Sequence, residues 1–245
     1  MYPIDILALL GLGLVLGLKH ASEVDHVVAV SSIVSEHRKL SRSALVGGLW
    51  GLGHTASLVA VGLVVLVSRV AIHESVASWL EFAVALMIIG LGFSSLVRVV
   101  RRRIDVHAHR HSHDGQEHVH VHFHEPGTEH VPQTHHLTKH SHDVSRIGVK
   151  PFLVGAMHGL AGSAALTLLV VAQTESIWLG LANLTAFGLG SAVGMLLMSS
   201  LIGLPFVLSG RRLSGLNYGF QTVAGCLTIV FGLWYAFQSG VLGTP

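Results

Sequence analysis

Ile6-Leu-Ala-Leu-Leu-Gly-Leu-Gly-Leu-Val-Leu-Gly-Leu-Lys19-His20-Ala-Ser-Glu23-Val-Asp25-His26-Val-Val-Ala-Val-Ser-Ser-Ile-Val34 is a run of 29 residues with five ionisable side chains, all crowded between Lys19 and His26. As one helix it would reach about 43 Å, too long for a hydrocarbon core of ~30 Å without tilt or a break. An Asp or Lys at the centre of a span costs roughly 2.5–3.5 kcal/mol on insertion scales. Five ionisable groups in eight residues therefore need a compensating role. A break that turns backbone toward a polar cavity would ease the cost.

Working outward, five more runs are long enough to cross a bilayer: Ser43–Val67, Ser78–Val100, Pro151–Ala172, Ile177–Leu204 and Leu216–Gln238. They have almost no polar face, and with 51% hydrophobic and 11% charged residues a soluble helical core is excluded. The 28 glycines suit membrane helices, which pack closely through small residues. The predicted fold is an all-α polytopic membrane protein of six transmembrane helices. The first span is expected to stay in place, since no basic n-region or small-residue cleavage site precedes it. Cys226, the single cysteine, can form no disulfide within the chain and reads as a small apolar filler.

A pI near 8.9 could suggest an anionic partner such as nucleic acid, but the basic residues sit where membrane orientation needs them. Arg38, Lys39 and Arg42 follow the first span; Arg98, Arg101, Arg102, Arg103, Arg110, Lys139, Arg146 and Lys150 flank or occupy the third connection; Arg211 and Arg212 occupy the fifth. Only Arg69 falls on the other side, and Lys19 lies within a span. Positive charge collects on the cytoplasmic side, so both termini are expected outside the cytoplasm of an inner, multi-pass cell membrane protein, with the long loop inside. Trp79, Trp178 and Trp234 fall at the opposite, outer ends, where interfacial anchors sit.

The loop divides the chain into residues 1–100, a first three-helix repeat, residues 101–149, and residues 150–245, a second. Gly17-Leu-Lys-His20 matches Gly155-Ala-Met-His158; Trp50-Gly-Leu-Gly53-His54 matches Phe187-Gly-Leu-Gly190-Ser191; Ile89-Gly-Leu91 weakly matches Phe231-Gly-Leu233. An odd number of spans per copy makes the second copy inverted. Inverted repeats with a site at their midplane interface are a common transporter architecture.

Within the ionisable run, an unbroken helix would place His20 and His26 about 120° apart, too divergent to share one ion easily. Either the helix breaks, or one histidine faces the ion and the other supports it. A neutral imidazole with a carboxylate suits borderline divalent ions such as nickel, cobalt or zinc. Glu23 and Asp25 are then ligands, or fix the histidine tautomer through the second ring nitrogen. His54 and His158 lie in otherwise apolar spans, where ionisable residues face a bundle interior or a pathway.

His20-Ala-Ser-Glu-Val-Asp25-His26 has the His-x-x-x-x-Asp-His form of the nickel/cobalt transporter family, within the wider nickel/cobalt permease superfamily, and Val27-Val-Ala-Val continues the likeness. Gly53-His54-Thr55 is similar to that family's second signature, and His158-Gly-Leu-Ala-Gly-Ser163-Ala resembles a segment of its shorter, six-helix members. The resemblance covers essentially all the membrane portion. It implies that His20, Asp25, His26 and His54 take part in metal recognition, with Glu23, His158 and Ser163 as further ligands or supports. Two departures stand out: Glu23 replaces the Asp usual two residues before the motif's Asp, and the extra helices of eight-span members are missing.

Thirteen of the 19 histidines lie between His107 and His142. His107, His109, His111 and His113, then His118, His120, His122 and His124, alternate with other residues. Glycine, proline and acids between them predict a flexible cytoplasmic segment without a folded core. Such tracts chelate transition metals, more weakly below about pH 6 where imidazole is protonated. Metal capture or buffering is the expected role.

The function these features imply is a permease, not an enzyme, moving Ni²⁺ or Co²⁺ as transported ligand by alternating access. No permanent cofactor is expected, and a cytoplasmic metallochaperone is a candidate partner. Nothing resembles a nucleotide-binding loop, so an ion gradient, the membrane potential or a partner supplies the drive. The chelating loop is similar to that of efflux members and the His-x-x-x-x-Asp-His motif to uptake members, which leaves direction open. A zinc transporter is the alternative within transport. A haem-binding oxidoreductase using paired histidines is the alternative outside it, disfavoured by two nearby carboxylates. Reporter fusions check the orientation: a fusion after Arg42 should report cytoplasm and one after Ser75 the outside. The reverse pattern would overturn it.

Overall fold

A computed structural model describes residues 3–35, 37, 39–70, 72–103, 106–113, 116–123, 149–162, 176–208, 214–241 and 243. In chain order the helices are α1 (Pro3–His20), α2 (Val24–Val34), α3 (Leu40–Ser68) and α4 (Glu74–Arg103). They are followed by strands β1 (Val106–His113) and β2 (Gln116–Phe123), then α5 (residues 149–162), α6 (Ile177–Leu208) and α7 (Ser214–Gln238). Among the described residues, four helices are long and apolar enough to cross a membrane: Leu40–Ser68, Glu74–Arg101, Ile177–Leu208 and Asn217–Gln238. Ile6–His20 and Val24–Val34 meet the same test together, as a pair bent by 56°. α5 covers the start of the span expected over Pro151–Ala172; the remainder, from 163, lies outside the described residues. Large apolar side chains such as Leu14, Leu52, Leu86, Leu197 and Leu227 stand exposed around the bundle, a surface suited to lipid rather than water.

Of the two alternatives for the first span, the break is the one adopted. The end of α1 tightens, with Ser22 N–H donating to the Lys19 carbonyl at 2.9 Å and Glu23 N–H to that of His20 at 3.0 Å. The Ser22 hydroxyl also donates to the Lys19 carbonyl, at 2.6 Å. Serine readily diverts helical carbonyls in this way. Glu23 is then extended (φ −66°, ψ 151°) and its carbonyl accepts the first bond of the new helix, from Val27 N–H at 3.0 Å.

The short α2 lies at the centre of the bundle. Ala29, Val30, Ile33 and Val34 are buried against Val46 and Trp50 of α3, Val84 and Ile88 of α4, and Met195 of α6. Ser32 on α2 and Thr228 on α7 join their hydroxyls at 2.7 Å, which satisfies two buried polar groups at once.

Around α2 the long helices meet through glycine, and the contacts come in reciprocal pairs. A Cβ on Gly17 would strike the Phe187 carbonyl, and one on Gly155 the Trp50 carbonyl. Likewise Gly190 meets the Leu14 carbonyl and Gly53 that of Phe152. Between α3 and α6, Gly51 rests on Ala192 and Gly188 on Thr55. Each contact becomes its partner on shifting one residue forward, and the other back, by 137 or 138 positions. In α4 and α7 the pairing is Gly92 on Ile229 and Gly232 on Ile89, an offset of 140 residues. The Gly-Leu match of the sequence suggests 142 there; contact between glycine and isoleucine, not string similarity, sets the register.

Two short strands lie in the histidine-rich segment between the helical halves. β1 and β2 pair antiparallel, with His107 opposite His122, His109 opposite His120 and His111 opposite His118. Alternation with a period of two is a strand pattern, and Asp-Gly, the dipeptide between the strands, favours tight hairpin connections. The apolar helical portion remains all-α. Gly17→Ala and Gly155→Ala should each cost about 1–3 kcal/mol by overpacking, measured as a lowered thermal midpoint in detergent. Gly90→Ala, where nothing lies within 4 Å of an added Cβ, should leave the midpoint unchanged.

Candidate metal centre

Four helices bring histidines to one place beside the break: His20 ends α1, His26 opens α2, His54 lies within α3 and His158 on α5. The bend resolves the divergence of an unbroken helix, leaving the His20 and His26 ring centroids 4.5 Å apart. His26 lies 4.2 Å from His158 and 5.4 Å from His54; His54 lies 5.3 Å from His20. α5 approaches α3 this closely because Gly159 faces the backbone of His54 with no Cβ between them. His26, His54 and His158 are all at most 3% exposed.

The carboxylates determine which nitrogens are available. His20 Nδ1 is 3.0 Å from Glu23 Oε2, His26 Nδ1 is 3.0 Å from Asp25 Oδ1, and His158 Nε2 is 2.7 Å from Asp25 Oδ2. A carboxylate only accepts, so each of these ring nitrogens donates its proton, and in the neutral ring the other nitrogen keeps its lone pair. Those others are His20 Nε2, His26 Nε2 and His158 Nδ1. All three, with both nitrogens of His54, are buried without a hydrogen-bond partner among the described residues. Leaving one buried polar atom unsatisfied costs about 1–3 kcal/mol, so several gathered in one spot make a candidate ligand site.

One donor atom from each of His20, His26 and His54 lies within 4.8 Å of the others, and the same holds for Asp25, His26 and His158. Imidazole donors with a nearby carboxylate suit nickel, cobalt, copper or zinc rather than magnesium or calcium. Aromatic walls enclose the cluster: Trp50 stacks on His26 at 6.3 Å and meets His158 at 5.8 Å, while Phe187 lies 5.4 Å from His20.

Of the residues singled out in the sequence, His20, Glu23, Asp25, His26, His54 and His158 are thus brought together. Ser163 and His124 lie outside the described residues. His107, His109, His111, His113, His118, His120 and His122 belong to the hairpin strands. Trp50 and Phe187, which entered only as repeat markers, prove to be walls of the cluster. Trp50 could have been found by its place four residues before His54, on the same helix face.

This geometry can be set beside known proteins. Residues 6–213 match the NicO family, described as high-affinity nickel-transport protein. The urease accessory protein UreH of Bacillus sp. (strain TB-90) is 37% identical over 241 residues, covering 98% of this chain and 96% of that protein. No solved structure matches. A match over most of the chain, on helices able to span a bilayer and around a buried histidine cluster, makes this multi-pass membrane protein a member of the NicO family of nickel transporters.

Proposed function

We propose that the chain is a secondary permease moving Ni²⁺ or Co²⁺ across the cytoplasmic membrane by alternating access, with His20, His26 and His54 as ligands of the transported ion. The observation that carries this reading is the set of buried ring nitrogens on three helices that have no partner among the described residues, with donor atoms of those residues within 4.8 Å of one another. Neutral imidazoles suit such cargo because they replace part of its hydration shell without holding a net charge in low dielectric. Asp25, bonded to both His26 and His158, offsets part of the ion's charge and holds both rings. Glu23 does the same for His20.

The reciprocal glycine contacts support a reading as two inverted three-helix copies that rock about the cluster. Ser191, the counterpart of His54, donates its hydroxyl to the Gly17 carbonyl at 3.1 Å, so the second copy closes a backbone contact where the first offers a ligand. The histidine-rich segment, proposed to lie in the cytoplasm with both termini outside, captures or buffers metal. A relative named for accessory service to urease fits an ion handed on to a recipient protein, with a metallochaperone as carrier.

His26→Ala and Asp25→Asn should each abolish nickel and cobalt flux in cells while the protein still inserts in the membrane. Unchanged flux in both would remove the site. More accumulation in the parent than in His26→Ala reads uptake, and less reads efflux. Deleting Val106–Asp143 should alter apparent affinity and leave residual flux; complete loss from a well-inserted deletion would make the loop obligatory.

A further inference from the structure

His20 and His158 occupy matching places in the two halves and have matching surroundings. Each donates one ring N–H to a carboxylate, Glu23 or Asp25, and keeps the other nitrogen buried and unpartnered among the described residues. Each stands against the aromatic residue of the opposite half, His20 by Phe187 and His158 by Trp50, and these aromatics are themselves counterparts 137 positions apart. His26 lies between the two, its ring centroid 4.5 Å from one and 4.2 Å from the other. Nothing in the proposed ligand set of His20, His26 and His54 uses the free Nδ1 of His158.

Resting on the permease reading above, we propose that His158 is an alternating ligand: the ion trades His20 for His158 as the halves rock, while His26 and His54 keep hold. Such an exchange moves the ion toward the second half without stripping it. A divalent cation released from all its donors in a low-dielectric interior faces a large desolvation penalty. Swapping a single imidazole keeps two nitrogens bound throughout and replaces the departing one with the same chemistry. No proton need change place, since the lone pair of His158 is already on Nδ1 while Nε2 stays bonded to Asp25.

Glutamine separates the two roles open to this residue. His158→Gln keeps an N–H for Asp25, but its amide oxygen is a hard donor poorly suited to nickel. Trp50 supplies the readout, because it touches both His26 and His158 and bound Ni²⁺ quenches indole emission at short range. In full-length protein with Trp79, Trp178 and Trp234 replaced by phenylalanine, Trp50 is the remaining tryptophan. Ni²⁺ quenching of Trp50 and Ni²⁺ flux into proteoliposomes are then measured with and without His158→Gln, and with His158→Asn as a second variant. Fold is checked by the Trp50 emission maximum before nickel is added.

The expected result is an unchanged quenching midpoint with a maximal flux reduced about tenfold or more, and a half-saturating concentration close to that of the parent. Flux equal to the parent in both variants would overturn the inference, leaving His158 as a hydrogen-bond partner of Asp25. Quenching lost together with flux, at an unshifted emission maximum, would also overturn it, by placing His158 in the resting ligand set. His26→Ala in the same background distinguishes failure of the permease reading: if it leaves quenching and flux unchanged, the ion does not use this cluster at all.

Discussion

Two carboxylate–imidazole contacts beside a helix break set the character of this molecule. A histidine offers one lone pair in its neutral form, and which nitrogen carries it depends on where the ring's proton is held. Glu23 and Asp25 hold those protons on His20 and His26, so both rings keep Nε2 as the acceptor. Without the extended residue at Glu23, the two rings would lie on different faces of one helix. The break is therefore the means by which one segment brings two imidazoles to one place.

The remaining architecture protects that arrangement. α2 is too short to cross a membrane alone and is buried among α3, α4 and α6, with a hydroxyl pair joining it to α7. Its polar N-terminal end reaches the cluster while its apolar end anchors in the core. Trp50 and Phe187 pack against the rings, and burial of His26, His54 and His158 strengthens the electrostatic contacts they make. Closely packed glycines let α1, α3, α5 and α6 bring their side chains together from separate helices.

Much of this was legible in the sequence, for physical reasons that can be named. Span length and apolarity are strong signals because a bilayer imposes them, and the excess length of the first run already demanded a bend or tilt. The ionisable residues were identifiable by their cost. Their division of labour was not, because the choice between ligand and orienting carboxylate depends on which nitrogen each oxygen approaches. His158 illustrates this: its motif placed it near the site, but only the 2.7 Å contact with Asp25 revealed which of its nitrogens is free. The hairpin was missed for a different reason. Composition argued against a packed core, and a two-stranded ribbon satisfies its backbone without one. Between α4 and α7 the reciprocal glycine–isoleucine contacts run at an offset of 140 residues, which the recurring Gly-Leu strings of the sequence do not single out.

The seams between the long helices are made of Cα atoms lying against carbonyl oxygens, at Gly17 and Phe187, Gly155 and Trp50, Gly190 and Leu14, and Gly53 and Phe152. A side chain at any of these four glycines would strike the opposing backbone and drive the two helices apart. Bare α-carbons facing carbonyl oxygens are also the geometry of weak Cα–H···O contacts, which hold helices together where lipid supplies no hydrophobic drive.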